Sequence, residues 1–233
     1  MFGPRSRRAG VLLCIAYAVV AHAAVNLQTL TLSSGPSDMV WDATRSRFFA
    51  SSGSSVVMIN PETAQVEDTI PVGAVANHLA VSSDGTYVYA GIDASAAVWR
   101  FQIASHALDL QIPLGTDSQG RNLSAVALAA IPGQPHSILV ARGYGLYSNL
   151  SEDAAVYDDA VARSGILTLA LRSLYVRASD GSIFGAGTDH LYSLAVTPSG
   201  VAVAHSAPID FSPNFTLSWN ASLLPIIRAG CSI

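Results

Sequence analysis

The most informative part of the chain is the stretch from 77 to 115, which reads NHLAVSSDGTYVYAGIDASAAVWRFQIASHALDLQIPLG. Its Asp84-Gly85 dipeptide separates two runs rich in β-branched, aromatic and small apolar residues. Asp-Gly between such runs is a strong hairpin signal, because glycine accepts a positive φ. A third run at 97–103 and a fourth run before Gly115 follow. The stretch therefore predicts four short strands joined by tight turns.

The same landmarks recur along the chain. Ile-Pro-x-Gly occurs at 70–73 and again 42 residues later at 112–115. The Asp84-Gly85 turn has counterparts in Pro132-Gly133 and Asp180-Gly181, each 48 residues after the one before. Ser199-Gly200 is a further turn, and the alanine-rich run at 125–130 is interpreted as a buried strand. A period of 40 to 50 residues with four strands predicts an all-β fold, a β-propeller of four-stranded antiparallel blades. A β-sandwich with regular strand spacing is the alternative.

The composition is that of a globular protein. Half of the 233 residues are hydrophobic, 12% are charged, and all 12 basic residues are arginine. The absence of lysine excludes Schiff-base chemistry and a P-loop. Net negative charge with scattered arginine does not favour binding to nucleic acid.

Residues 1–23 have the pattern of a cleaved signal peptide. Three arginines precede the ten-residue apolar run VLLCIAYAVV at 11–20, and Ala21-His22-Ala23 supplies the small residues of a cleavage site before Ala24. Ten residues are too few to cross a bilayer, which takes about 20. We therefore expect a secreted or periplasmic protein with no membrane span in the mature chain. Cleavage also removes Cys14 and leaves Cys231 without an internal disulfide partner.

Residues 77–90, the following Val-x-Arg-Phe strand and Ile-Pro-Leu-Gly at 112–115 resemble the YVTN-type β-propeller repeat of secreted bacterial proteins. The segment 55–73, SVVMINPETAQVEDTIPVG, resembles the second half of the same repeat. The resemblance covers residues 36–115 well and 123–205 more weakly. It implies an exported propeller, commonly of seven blades, in a family with surface-layer and ligand-binding members; related propellers include lactonases and quinoprotein dehydrogenases.

The length of the chain departs from that family. We expect residues 24–233 to form a single propeller domain, and at 42 to 48 residues per blade it would hold four to five blades, in an open or truncated ring. Residues 27–32 resemble an outer strand, which in closed propellers often completes the last blade. Residues 211–233 show no clear blade pattern and are interpreted as a poorly defined tail.

No catalytic motif stands out. A Gly-x-Ser-x-Gly elbow, His-Glu-x-x-His and Cys-x-x-Cys are all absent from the sequence. No catalytic residue is assigned, and whether the protein is an enzyme stays open, with a non-enzyme favoured.

Position in the repeat does indicate a candidate binding site. Loops that lead into the innermost strands of a propeller form one rim, and the polar residues just before those strands are Asp38, Asn77, His78, Asn122 and Ser124. Such a group could bind a polar ligand or a divalent cation. The structural alternative is that each residue caps a turn through its own backbone.

Three functions fit these observations. The first is an exported binding or interaction module for an unidentified small ligand or protein partner, with no cofactor. The second is a lactonase-type hydrolase with a divalent metal at the rim, and the third is a structural cell-surface repeat protein. Propeller motifs specify a fold better than a function, so the sequence does not choose a ligand.

Overall fold

The computed structural model describes residues 29–144 and 151–209, which form four four-stranded antiparallel sheets. Blade 1 contains β1 (Met39–Asp42), β2 (Arg47–Ser52), β3 (Ser55–Asn60) and β4 (Gln65–Pro71). Blade 2 contains β5 (His78–Val81), β6 (Tyr87–Ile92), β7 (Ala97–Gln102) and β8 (Leu108–Pro113). Blade 3 contains β9 (Leu123–Ala130), β10 (Ser137–Tyr144), β11 (Asp153–Asp158) and β12 (Val161–Ala162). Blade 4 contains β13 (Ser173–Val176), β14 (Ile183–Ala186), β15 (His190–Thr197) and β16 (Gly200–Pro208).

Strands follow one another in chain order within every sheet. The first strands β1, β5, β9 and β13 contact one another from blade to blade, so they lie innermost. We call the end at which these strands begin the upper rim and the opposite end the lower rim. The all-β propeller prediction is confirmed with four blades, and the strand predicted at 125–130 lies within β9.

The predicted turns join the strands as expected. Gly85, Gly133 and Gly181 have φ of +70°, +72° and +73°, and each lies between the first and second strands of its blade. Side chains other than glycine adopt this region at a cost, which explains why the residue recurs at this point. The 48-residue spacing in the sequence is therefore the spacing of one turn in blades 2, 3 and 4.

The blades are joined by apolar cores that lie between them. Alternation along a strand sends successive side chains to opposite faces of the sheet. In β6, Val88 packs towards blade 1, with Phe49 and Val56. Tyr89 packs towards blade 3, with Ile138. The same arrangement joins blade 3 to blade 4. Because both faces are buried, the strands read as nearly continuous apolar runs, which accounts for the high hydrophobic content.

Arginines join neighbouring blades at the lower rim. Arg45 of blade 1 forms an ion pair with Asp42 (2.7 Å) and donates to the carbonyl of Gly85 in blade 2 (2.7 Å). Arg163, which follows β12, donates to the carbonyl of Thr197 in blade 4 (2.7 Å).

Arg100 makes the most buried of these links. Its guanidinium pairs with Asp109 (2.6 Å) in its own blade and with Asp159 (2.7 Å) in blade 3. It also lies over the ring of Tyr87, 4.7 Å from the centroid. Only 5% of the Arg100 side chain is exposed. Hydrogen bonds to Tyr89 and the two carboxylates outweigh the effect of burial, which acts in the opposite direction, and raise the pKa of Arg100.

The prediction of an outer strand at 27–32 is wrong where the structure describes it. Residues 29–32 belong to no strand. Leu30 and Leu32 instead pack against Ala50, Val57 and Ile59, on the face of blade 1 turned away from blade 2. Leu30 and Leu32 therefore contribute side-chain packing without the backbone pairing of a strand. Residues 1–28, 145–150 and 210–233, which include the predicted signal peptide and tail, lie outside the described residues.

We expect Arg100→Met to lower the free energy of unfolding by about 2–4 kcal/mol, because it leaves the partly buried carboxylate of Asp109 without its cation and removes the link to Asp159 of blade 3. Chemical denaturation would measure the loss. Arg47→Met is the matched control: Arg47 pairs with Glu67 at the surface, and such a pair contributes less than about 1 kcal/mol. Equal losses in the two variants would contradict the role given to Arg100.

Candidate functional site

Asp38 lies at the upper rim and holds two blades together. One of its carboxylate oxygens accepts a hydrogen bond from the backbone N–H of Met39 (2.7 Å). The other accepts from the N–H of Leu79, in the inner strand of blade 2 (2.8 Å). The capping role considered for Asp38 is therefore present, and it also fixes blade 1 to blade 2 at the rim.

His78 is positioned beside this carboxylate. Its Nδ1 lies 4.0 Å from Oδ2 of Asp38, and about a third of its side chain is exposed. Burial lowers the pKa of His78, against the opposing effect of the carboxylates of Asp38 and Asp93. The imidazole is therefore neutral at pH 7 and adds no positive charge to the rim.

Asp93 is the rim residue that the sequence reasoning missed. It begins the short 3-10 turn Asp93–Ser95 between β6 and β7. In an antiparallel blade, this turn lies at the same rim as the loop entering the first strand. The amide of Asn77 donates to Oδ2 of Asp93. Inspection of both sets of upper-rim turns, rather than only the loops before inner strands, would have found it.

The second carboxylate oxygen of Asp93 has no partner. Oδ1 is buried, and within the described residues it is one of only two buried side-chain polar atoms without a hydrogen bond, the other being Nε1 of Trp99. Burial raises the pKa of Asp93, although the Asn77 hydrogen bond and nearby His78 lower it in part. A buried polar atom without a partner is costly and is a common feature of binding sites.

The structure thus brings Asp38, Asn77 and His78 together with Asp93, whereas the predicted pair from blade 3 is placed differently. Asn122 is exposed and forms an isolated β-bridge with Thr116. Ser124 is buried within β9. We call Asp38, Asn77, His78 and Asp93 the rim cluster. Among the described residues, no hydrogen bond joins Asn122 or Ser124 to the rim cluster.

The metal hypothesis finds no ligand set in this part of the chain. Over 29–144 and 151–209, no three histidine, cysteine, aspartate or glutamate side chains converge so that they could hold a metal ion. Asp38 already accepts two backbone hydrogen bonds.

Comparison with known proteins identifies the fold and not the family. No protein-family model matches the chain, and no curated protein sequence matches it. Among solved structures, it is similar to the RRP9 WD40 repeats, with TM-score 0.54 and 17% identity over 77% of this chain and 54% of that one.

It is also similar to the Cps50 (Swd1) β-propeller domain of Myceliophteria thermophila, with TM-score 0.57 and 11% identity over 79% of this chain and 58% of that one. A third match is hydrazine synthase of Kuenenia stuttgartiensis, with TM-score 0.54 and 15% identity over 81% of this chain and 53% of that one. The chain thus spans about half the length of these solved chains.

The described residues include no helix long and apolar enough to cross a bilayer. Taken together, the four blades and these similarities establish that the chain has a β-propeller fold.

We expect Asp93→Asn to raise the melting temperature at pH 7 by about 2–4 °C, because a buried amide costs less than a buried carboxylate and its oxygen still accepts from Asn77. A raised pKa in the folded state means that wild-type stability is lost as pH rises through that pKa. The gain in the variant should therefore shrink as pH falls. Differential scanning calorimetry across pH would measure it.

Asp84→Asn is the matched control, because the pKa of Asp84 is shifted in the opposite direction to that of Asp93. Burial raises the pKa of Asp84, but hydrogen bonds from Ser82 and Thr86 prevail and lower it. The charged form therefore stabilises the fold, and this stabilisation is lost as pH falls through the lowered pKa. We expect Asp84→Asn to lower the melting temperature at pH 7, and we expect this decrease to become smaller in acid. A destabilised Asp93→Asn protein at pH 7 would show that Asp93 is not an unsatisfied group.

Proposed function

We propose that this chain is an exported binding module whose rim cluster holds a small ligand that carries a protonated amine. The observation that carries the proposal is Oδ1 of Asp93, a buried carboxylate oxygen without a hydrogen-bond donor. Such an atom gains a partner from a ligand whose donor reaches it when the rim side chains around it move apart, and a charge-assisted hydrogen bond is about twice as strong as a neutral one.

The charge of the rim cluster favours a cation over an anion. Asp38 and Asp93 both contribute carboxylates, and the lowered pKa of His78 keeps its imidazole neutral at pH 7. A bound ammonium group would stabilise the ionised form of Asp93, whose pKa is raised by burial. An anionic ligand would meet two carboxylates, and within residues 29–144 and 151–209 no arginine is hydrogen-bonded to the cluster.

The scaffold supplies the rigidity that a binding site needs. Asp38 connects the two blades through the N–H of Leu79, and Asn77 orients the carboxylate of Asp93. The apolar core below contains Leu79 and Ile92, neighbours of His78 and Asp93 along the chain. Sites on loops held by a rigid framework lose little entropy when a ligand binds.

Titration with putrescine tests the proposal, with 1,4-butanediol and succinate as uncharged and anionic analogues of similar length. We expect only putrescine to raise the melting temperature and to give binding heat. Asp93→Asn should weaken its binding by about tenfold or more, whereas Asp84→Asn should leave it unchanged. No response at millimolar putrescine, an equal response of Asp93→Asn, or preferential binding of succinate would overturn the assignment.

Export is tested separately in a bacterial host that expresses the full sequence. We expect the protein recovered outside the cytoplasm to begin at Ala24, as read by mass spectrometry of its N-terminal peptide. Leu12→Arg with Leu13→Arg interrupts the apolar run and should retain the protein inside. Ser33→Arg with Ser34→Arg adds the same charge after the cleavage site, and this control variant should still be exported. An uncleaved protein inside the cell would contradict export.

A further inference from the structure

The outer strand of blade 4 differs from the outer strands of the other three blades. This strand, β16, is nine residues long, and its sequence GVAVAHSAP contains no aspartate, glutamate, lysine or arginine. The outer strand of blade 1 carries Glu67 and Asp68, and that of blade 2 carries Asp109. The outer strand of blade 3 has only two residues. Charged side chains and short strands are common means of preventing an exposed edge from pairing, and β16 has neither.

The outer edge of β16 is open over most of its length. β16 stands last in the strand order of its sheet, so β15 pairs with only one of its two edges. At the start of the strand, Gly165 forms a parallel bridge with Gly200 and accepts a hydrogen bond from the N–H of Val201 (3.2 Å). From 202 to 208, no strand or bridge among the described residues pairs with the outer edge. Residues 202–206 are all exposed.

We propose that β16 pairs antiparallel with β16 of a second copy of this chain, so that the fourth blades of two molecules form one continuous sheet. In an edge strand, alternate residues point their backbone N–H and C=O groups outwards, where they can pair with another strand. Two identical antiparallel strands are related by a two-fold axis, so each donor of one copy meets an acceptor of the other. Both strands are already extended before they meet, which keeps the entropic cost of ordering them small.

Charge favours a second copy at this edge over the other outer strands. The chain has a formal net charge of −4 at pH 7, so two copies repel one another on average. Self-pairing of β4 would bring Glu67 and Asp68 of the two copies together, and like charges across a strand pair are destabilising. Self-pairing of β16 brings together only apolar, imidazole and hydroxyl side chains, those of Ala202, Val203, Ala204, His205 and Ser206.

The size of the contact predicts a weak, reversible dimer. The open part of the edge, 202–208, spans about 23 Å at the rise of a strand, and an antiparallel pair of that length forms about six backbone hydrogen bonds. A typical protein interface contains about 10 direct hydrogen bonds, and weak encounters bury less than about 1,200 Å². We therefore expect a dissociation constant of about 10–100 µM.

Sedimentation equilibrium between about 1 and 500 µM tests the proposal, on protein purified after expression of the full sequence. We expect a monomer at the lowest concentration and a dimer at the highest. Val203→Lys places an ammonium group on the open edge and should raise the dissociation constant about tenfold or more. Leu108→Lys is the matched control, because Leu108 lies in the outer strand of blade 2 and is 44% exposed, against 39% for Val203. The control should dimerise like the wild type.

Amide hydrogen exchange with mass spectrometry locates the contact. We expect the wild-type peptide containing 202–208 to exchange more slowly at the highest protein concentration than at the lowest, and we expect no such dependence in Val203→Lys. The melting temperature of each variant at the lowest concentration shows that its monomer is folded.

Three results would overturn the proposal. The first is a wild-type protein that stays monomeric at every concentration. The second is a dimer that a folded Val203→Lys protein forms as readily as the wild type, which would place the contact elsewhere. The third is exchange at 202–208 that is equally slow at all concentrations, which would show that the chain covers its own edge.

Discussion

Every blade of this protein depends on its neighbours because its strands carry apolar side chains on both faces. Val88 and Tyr89 are adjacent in β6, yet one belongs to the core with blade 1 and the other to the core with blade 3. A four-stranded sheet with two apolar faces cannot bury both by itself, so stability comes from stacking. The arginine links of the lower rim act at the same interfaces and fix the rotation of one blade against the next.

One contact of the candidate site depends on that stacking. Asp38 belongs to the chain before blade 1, but the N–H that fixes its second oxygen belongs to Leu79 in blade 2. Asp93 reaches the cluster from the other upper-rim turn of blade 2. Only when blades 1 and 2 are docked does Asp38 join the other three residues, which all belong to blade 2 or the segment leading into it. The unsatisfied oxygen of Asp93 is a local cost in stability of the kind that binding sites commonly carry.

Much of the fold could be predicted because it is encoded locally. Asp84-Gly85 and its counterparts mark the same hairpin in successive blades, and Val126-Ala127-Leu128 lies within a strand despite its alanine content. The N-terminal segment shows the limit: residues 27–32 resemble an outer strand, but Leu30 and Leu32 are packed without backbone pairing, because burial of side chains does not require it. The pairing of Arg100 with Asp159 joins residues from different blades, and no local pattern encodes such a contact.

The site was predictable only in part for a related reason. Asn77 and His78 were found because they precede an inner strand, and that position follows from the repeat. Asp93 follows a different strand, and its importance rests on burial and on the missing partner of one oxygen, neither of which can be read from residue types. Asn122 occupies the corresponding position in blade 3, but the structure places it in an exposed bridge with Thr116.

The most direct test of this account is an NMR titration of the Asp93 carboxyl and the His78 imidazole in the ligand-free protein. We expect Asp93 to titrate above its ordinary pKa of 3.8 and His78 to titrate below 6.5, because burial disfavours the charged form of each group. Ordinary pKa values for both groups would describe an open, solvated rim and would contradict the burial of the rim cluster on which the proposed binding site rests.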